Sequence, residues 1–366
     1  MNSIFITVGT VSLITAIFAL LLTIANRTIG NYGKVDITIN TDKIYTVDGG
    51  DTLLSSLIEN KVFIPSACGG KGSCGYCKVK ILEGGGPVLP TELGYLTDSD
   101  IKENIRQSCQ CKVKENIKIE IPEEFLDIKE YLSSVEFIKD LTPSIKHLKL
   151  KLSSDEEINF KPGQYVQLKA PKYKGNNEEV FRAYSIVSSP YDKKHIELVI
   201  GYVPEGICTT YVHNFLKVKD KAVFNGPYGD FYYHDNQREM IFVAVGTGMA
   251  PIVSILHHLR ENNISRKATF YFGARNVEDL FFLEEMKYFE ENLYDFKFIP
   301  CLSRAKEEDG WNGEKGRVTN VLEKYLNNID NIEAYLCGSP VMIDSVVKIL
   351  KDKGLSGDLV YYDKFE

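Results

Sequence analysis

Cys68-Gly69-Gly70-Lys71-Gly72-Ser73-Cys74-Gly75-Tyr76-Cys77 packs three cysteines and four glycines into ten residues, and Cys109 follows Cys77 after 31 intervening residues. Four thiols in such an arrangement can converge on one volume a few ångströms across. Glycine lets a backbone curl around that volume and turn its N–H groups inward without Cβ clashes. Electron-rich sulfur is stabilised by such donors.

The spacing C-x5-C-x2-C…C is one residue longer in its first gap than the plant-type iron–sulfur pattern. Tetrahedral zinc usually takes its ligands as two compact pairs, and here they split three and one. A disulfide framework suits short chains in oxidising compartments. A Rieske centre needs two histidines, and none occurs before His147. The reading is an all-cysteine 2Fe–2S centre. Cys111 lies two residues beyond Cys109, and on a strand the two would share a face.

The chain has 366 residues, 44% hydrophobic and 25% charged, enough for two to four domains of ordinary globular character. A net charge of −7 argues against nucleic acid as a partner. Cys208, Cys301 and Cys337 are scattered singly, which fits a reducing compartment. Ile4 to Ala25 is an uncharged, mostly apolar run of 22 residues. At about 1.5 Å per residue it spans a hydrocarbon core. It exceeds the apolar region of a signal peptide and no cationic residue precedes it. Arg27 and Lys34 follow it, so the positive-inside tendency puts the rest of the chain in the cytoplasm. The expectation is a retained single-pass anchor, residues 1–30, in the inner (cytoplasmic) membrane.

Residues 33–122 read as a small α+β domain. Lys34 to Asn40 alternates like a strand and can form a hairpin with Lys43 to Val47. Asp51 or Thr52 caps a short helix through Asn60. Lys78 to Leu82, Cys111 to Lys114 and Ile117 to Ile121 follow as strands. That order makes a β-grasp sheet over one helix. Pro122 to Glu130 reads as a linker. Residues 131–235 hold short β-like runs (Val135–Phe137, Lys146–Lys151, Tyr165–Leu168, Ala183–Ile186, Ile196–Tyr202, Ala222–Phe224) and no long helical pattern, which predicts an antiparallel β-barrel. In residues 236–366 the strand Met240–Val245, the turn Gly246-Thr247-Gly248 and the helix Ile252–Arg260 make a phosphate cradle. Pro251 takes the third glycine's place in the G-x-G-x-x-G fingerprint. Strands Ala268–Phe272, Phe296–Pro300 and Ala334–Cys337 alternate with helices, which predicts a Rossmann-like parallel α/β sheet. The fold class is therefore multidomain, α+β followed by α/β.

Pro65 to Gly70, Gly85-Gly86, Leu89 to Leu93 and Ser108-Cys109-Gln110 resemble the family of NADH-oxidising subunits of the sodium-translocating NADH:quinone reductases, whose N-terminal helix and domain order this chain shares. The resemblance covers nearly the whole chain. It implies a 2Fe–2S ferredoxin domain with ligands Cys68, Cys74, Cys77 and Cys109, and leaves Cys111 a bystander. Arg182-Ala183-Tyr184-Ser185 resembles the flavin signature of the ferredoxin–NADP reductase superfamily, and implies FAD. Arg182 would pair with its pyrophosphate through a planar fork of donors. Tyr184 would stack on the ring system, and Ser185 would lie near its N5. Gly206-Ile-Cys-Thr209-Thr210 precedes a helix read as Tyr211–Leu216, and would hold the diphosphate at a helix N-terminus. As a bland alternative, the threonines only cap that helix. Tyr173 has no role on sequence grounds.

In the last domain the resemblance assigns Gly246, Gly248, Pro251 and Gly338 to dinucleotide binding. It places Cys337 beside the nicotinamide and Phe365 over the flavin. Packing is the bland reading of Cys337. The family uses NADH. Arg304 stands where some relatives bind a 2′-phosphate, and Arg275 is placed to assist it. The implied activity carries electrons from NADH through FAD and the 2Fe–2S cluster to integral membrane subunits and, through them, to quinone. An alternative is an anchored NAD(P)H reductase serving an oxygenase. A tethered iron–sulfur carrier with degenerate reductase domains is the non-enzyme reading. Between Pro171 and Arg182 only ten residues stand where members of the family carry a long insertion.

Overall fold

The computed structural model describes residues 2–28 and 32–365, and side chains for 6–23 and 32–365. Met1, residues 29–31 and Glu366, which bound the expected first and last domains, lie outside the described residues, as does the Arg27 side chain. Two compact units divide at Ile128/Lys129.

The first unit opens with α1 (Asn2–Thr28). Its stretch Ile6–Thr23 has a mean hydropathy of 2.2 and is not buried by any other part of the chain. Three threonines in it are hydrogen-bonded to their own helix: Thr10 Oγ1 donates to Ile6 O (2.9 Å), Thr15 Oγ1 to Val11 O (3.0 Å) and Thr23 Oγ1 to Ala19 O (2.7 Å). A hydroxyl satisfied this way brings no unpaired donor into an apolar medium.

Five strands follow: β1 (Lys34–Ile39), β2 (Lys43–Asp48), β3 (Lys78–Glu83), β4 (Ile105–Gln107) and β5 (Ile117–Glu120), with helices α2 (Leu53–Glu59) and α3 (Asp98–Lys102). The sheet order is β2-β1-β5-β3-β4, and β1 and β5 run parallel. Alternation in β1 buries Val35, Ile37 and Ile39. They pack with Leu53, Leu54 and Leu57 of α2. Thr52 caps α2 by accepting from Ser55 N at 3.2 Å, a contact worth about 1 kcal/mol.

Cys111–Lys114, expected as a strand, is not one. It forms an isolated bridge from Lys112 to Thr52, and Leu53 N and Gly50 N donate to Cys111 O and Val113 O. A turn intervenes instead, in which Gln110 N and Cys111 N both donate to Gln107 O (2.9 and 3.2 Å). Cys109 and Cys111 are therefore not alternate residues of one strand. The strand at this place is β4, fixed by its pairing with β3 rather than by alternation. The linker residues form a 3-10 turn, Glu123–Asp127, before β6 starts at Lys129.

The second unit begins with an antiparallel barrel of β6 (Lys129–Thr142), β7 (Ile145–Leu152), β8 (Tyr165–Ala170), β9 (Val180–Ser185), β10 (His195–Gly201) and β11 (Lys221–Tyr228), in the order β10-β7-β6-β11-β8-β9. The bridge Ile186↔Leu198 and the bond Val187 N→Glu197 O (2.9 Å) join its two ends. β6 is longer than the expected Val135–Phe137 because it pairs with β7 through two irregular registers. The helix expected at Tyr211–Leu216 is α4 (Ile207–Asn214). It starts four residues earlier, so Thr209 and Thr210 lie inside it rather than ahead of it.

A parallel sheet follows, of β12 (Glu239–Val245), β13 (Lys267–Ala274), β14 (Asp295–Leu302), β15 (Glu314–Lys315), β16 (Ile332–Gly338) and β17 (Val360–Lys364). Helices α5 (Met249–Glu261), α6 (Leu283–Asn292), α7 (Val318–Tyr325) and α8 (Pro340–Asp352) connect it. The order β15-β14-β13-β12-β16-β17 reverses direction between β12 and β16. Ligands of open parallel sheets bind at such a reversal, outside the strand C-termini. Ile145, Val187 and Val199 of the barrel share one apolar core with Phe242 and Phe270 of this sheet and Ile252 of α5.

Candidate functional site

Cys77 immediately precedes β3 and Cys109 stands in the turn after β4. The register Lys78↔Gln107 sets them side by side, and Ser108 N donates to Cys77 O at 2.8 Å. This closes the 31-residue gap of the sequence. The ten-residue loop carries Cys68 and Cys74, and Gly69, Gly70, Gly72 and Gly75 in it all hold positive φ, from 64° to 86°. Ser66 pins the loop by accepting from Gly70 N at 3.1 Å.

Cys68 neighbours Cys74, and Cys77 neighbours Cys109, each thiol near enough to shift the acidity of the other. The hydrogen bond from Cys74 holds the Cys68 thiol down to about 4, and Cys74 is pushed up in return. Cys77 does the same for Cys109, which is lowered while Cys77 is raised. Each pair thus sets two sulfurs close enough to act on one another. Among the described residues no three His, Cys, Asp or Glu side chains converge as ligands of a single ion. Two sulfurs for each of two irons is the division that a 2Fe–2S cluster needs. Cys111 is apart from this set: it is 1% exposed, its Sγ lies 3.5 Å from Gly85 O, and burial raises its thiol.

Two features beside the thiols have no role on sequence grounds, although Glu92 and Gln110 lie in stretches that carry the resemblance. Arg106 and Glu92 form a buried ion pair at 2.6 Å, and Arg106 also donates to Gly85 O and Gly86 O (3.2 and 2.8 Å). Glu92 accepts from Leu89 N and Gln107 N (2.8 and 3.0 Å). Burial pushes the Glu92 carboxyl up, but the Arg106 hydrogen bonds and charge, together with those from Leu89 N and Gln107 N, hold it below the usual range. This pair ties the Leu89–Leu96 loop to the strand leading into Cys109. The second feature is the Gln110 side chain, whose Nε2 lies 3.8 Å from Cys109 Sγ.

In the barrel, Arg182, Tyr184 and Ser185 follow one another on β9, which pairs with β8 through Leu168, Val166 and Tyr165. Arg182 Nη1 donates to Phe181 O at 2.8 Å. Burial, then Cys208 beside it, raises the Tyr184 hydroxyl well above its ordinary value, so Tyr184 stays neutral. α4 runs next to these residues with Gly206 at its N-cap and no side chain bonded to its first turn. That leaves a helix end able to meet an anion. Thr209 is committed elsewhere. Its hydroxyl lies 3.1 and 3.2 Å from Val203 O and Gly206 O, and Val203 N donates to it at 3.3 Å. It fixes the loop entering α4. Thr210 faces Tyr173, whose hydroxyl donates to Ile207 O at 2.9 Å and whose ring packs on Tyr211 and Phe215. Tyr173 therefore straps the short Pro171–Arg182 segment onto α4.

In the parallel sheet, the Gly246-Thr247-Gly248 turn abuts the end of β16. A Cβ on Gly248 would stand 2.3 Å from Cys337 O, and one on Gly338 would stand 2.6 Å from Val245 Cγ2. Glycine at both places lets the strand ends touch at the reversal point. Pro251 is buried in the first turn of α5, where its missing N–H costs nothing. Thr247 reaches the end of β10, close enough that a Cβ on Gly201 would meet its Cγ2 at 3.3 Å. Barrel and dinucleotide turn therefore meet here. Cys337 is fully buried, and burial first, then Asp363, raises its thiol well above the ordinary value. Phe365 N donates to Gly338 O at 2.9 Å, so β17 brings the penultimate residue back to the same strand end.

Asp363 is a further site residue that no motif marks. It is the direct neighbour of Cys337 in the β16/β17 register, and burial raises its carboxyl to about 7. Its one trace in the sequence is an acid two residues before the terminal aromatic. Arg275 is exposed at the end of β13, where its carbonyl accepts from Arg304 N at 2.9 Å. It stands at the neighbouring strand end rather than on the glycine turn.

Three family models match in sequence order: a 2Fe-2S iron-sulfur cluster binding domain over residues 37–114, an oxidoreductase FAD-binding domain over 133–233 and an oxidoreductase NAD-binding domain over 242–348. The chain is an oxidoreductase with sites for these three groups. The F subunit of the Na(+)-translocating NADH-quinone reductase of Serratia proteamaculans is 36% identical over 394 aligned positions, covering 96% of this chain and 97% of the relative. Its counterpart of the same name in Methylococcus capsulatus is 34% identical, covering 91% and 92%. The first alignment is longer than the 366 residues of this chain, so the relative carries segments that this chain lacks. Among solved structures, the Amycolatopsis cytochrome P450 reductase GcoB superposes with a TM-score of 0.72 at 24% identity, covering 90% of this chain and 98% of that one. The ferredoxin reductase in carbazole 1,9a-dioxygenase gives 0.70 at 23%, covering 91% and 99%. At these identities the superpositions speak for the fold.

Proposed function

Since the chain belongs to the family of F subunits of Na(+)-translocating NADH-quinone reductases, we propose that it is the electron-input component of such a reductase, oxidising NADH and delivering electrons to membrane partners. The register that sets Cys77 beside Cys109, together with the glycine loop that carries Cys68 and Cys74, supports this reading, because a two-iron centre needs four thiolates. When bound, the flavin supplies hydride acceptance and the cluster supplies one-electron transfer. The protein's part is to hold geometry and set potentials.

Arg182 and the open first turn of α4 hold the FAD diphosphate. Tyr184, kept neutral by burial, offers an apolar ring face to the flavin, and Ser185 presents its hydroxyl at the end of β9. Gly206 keeps the α4 cap free of side chain. Thr209 acts by shaping that loop, and Thr210 together with Tyr173 fixes its far side. The touching turns at Gly248 and Gly338 receive the dinucleotide phosphates and nicotinamide, with Gly246 and Pro251 shaping the cradle. Cys337 lines this place as a neutral thiol, so it positions rather than attacks. Phe365 occupies the adjoining position until the nicotinamide enters. Arg275 meets the ribose end of the dinucleotide.

α1 anchors the chain in the inner membrane with the catalytic domains in the cytoplasm, and its self-satisfied threonines suit a lipid surround. Integral membrane subunits receive the electrons and pass them to quinone. The test is anaerobic purification from native membranes. The expected result is iron and acid-labile sulfide at about two each per chain, one FAD, NADH-driven ferricyanide reduction, and co-purifying integral membrane subunits. Activity and cofactors without such partners would refute the assignment to a membrane complex.

A further inference from the structure

Gln110 stands where three segments meet: the turn that carries Cys109, the cysteine loop and the Leu89–Leu96 loop. Its Nε2 lies 3.8 Å from Cys109 Sγ. Its Oε1 accepts from Thr91 Oγ1 at 3.0 Å. The cysteine loop makes room for the amide at Gly72, where a Cβ would stand 2.5 Å from Nε2. Thr91 is itself held in place, because the next residue is Glu92 of the buried ion pair with Arg106. The ends of the amide suit their neighbours. A metal-bound sulfur only accepts hydrogen bonds, so the NH2 group faces Cys109, and Oε1 is left for the Thr91 hydroxyl to satisfy.

Resting on the reading of Cys109 as a cluster ligand, we propose that Gln110, oriented by Thr91, donates an N–H···S hydrogen bond to Cys109 and so raises the reduction potential of the two-iron centre. The physical reason is differential. Reduction adds one electron and no proton to a cage already bearing thiolate charge, so a donor to sulfur stabilises the reduced state more than the oxidised one. Gln110 is a positioning and tuning residue, and it leaves the electron balance of the reaction unchanged.

The experiment is an electrochemical titration of the full-length detergent-solubilised protein, read by visible absorbance and electron paramagnetic resonance, for the parent and for Gln110→Met, Gln110→Glu, Thr91→Val and Thr91→Ser. With two irons and two sulfides retained, Gln110→Met is expected to shift the reduction equilibrium roughly tenfold toward the oxidised form, about 59 mV for a one-electron couple. Gln110→Glu should move it further the same way. Thr91→Val should move it the same way by less, and Thr91→Ser, which keeps the hydroxyl, should restore the parent value. The flavin potential should not move in any variant. A Gln110→Met protein with intact cluster and an equilibrium within twofold of the parent would overturn the proposal. So would loss of the cluster from both Gln110→Met and Thr91→Val, because the two side chains would then hold the loop rather than tune the centre. A parent protein without a two-iron cluster would instead refute the ligand assignment itself.

Discussion

Residues 68–77 and 246–248 are both glycine-rich turns, and Gly70 in the first and Gly248 in the second serve different ends. In the cysteine loop the need is conformational: Gly70 has φ +86°, and the nearest atom to an added Cβ is 3.6 Å away. In the dinucleotide turn it is spatial: Gly248 has an ordinary φ of −61°, yet an added Cβ would stand 2.3 Å from the Cys337 carbonyl oxygen. The first site is an irregular loop pinned by Ser66, with a buried ion pair supporting the strand that leads into Cys109. The second is built where regular strands and a helix end meet, and at Gly248 and Gly338 it needs close approach. A loop site should fail through its ligands and its polar supports. A topological site should fail through added volume.

The largest expected effect is Cys77→Ala. Cluster iron and the visible bands of the cluster should be lost almost completely, while NADH still bleaches the flavin. Loss of flavin reduction with FAD still bound would break the separation of the two sites. Next is Arg106→Met, which leaves the Glu92 carboxylate buried without its partner. Breaking such a pair costs about 3–5 kcal/mol, read as a lower denaturation midpoint of the first unit. Glu92→Leu combined with Arg106→Met should recover much of that loss.

Paired alanines sharpen the contrast. Gly248→Ala should raise the KM for NADH at least ~10-fold, since about 1.4 kcal/mol of lost binding already gives that factor, with cluster content unchanged. Gly70→Ala should cost about 1–2 kcal/mol of local stability through its left-handed φ, with KM for NADH unchanged. Equal effects of both on KM would erase the distinction.

The smallest effect concerns pH. The Asp363 carboxyl is raised by burial to about 7. Its contribution to stability is therefore full below the ordinary aspartate range and is lost as pH rises toward 7. Asp363→Asn should flatten the fall in Tm between about pH 4 and 7 without altering cluster content. An unchanged Tm profile would show that this carboxylate is not the group titrating there.

Local patterns made most of the fold legible. Alternation marks β1, β7 and β10, apolar runs mark β12 and β16, and cysteine spacing marks the cluster loop. What stays hidden depends on pairing between distant segments. Ile105–Gln107 is a strand only because Lys78 lies opposite Gln107. α4 starts at Ile207 because Thr209 bonds back to Val203 and Gly206. Glu92 and Arg106 each look like ordinary surface charges until the fold buries them together. Asp363 becomes a partner of Cys337 only when β17 returns beside β16.

On the proposed reading, Cys68, Cys74, Cys77 and Cys109 hold a two-iron centre that serves as the electron outlet of an NADH-oxidising flavoprotein. The most direct measurement is iron, zinc and acid-labile sulfide analysis of anaerobically purified protein, followed by electron paramagnetic resonance after NADH addition. The expected result is about two irons and two sulfides per chain, with a single unpaired-electron signal that appears with NADH and is absent in Cys77→Ala. One zinc per chain with no labile sulfide would contradict it.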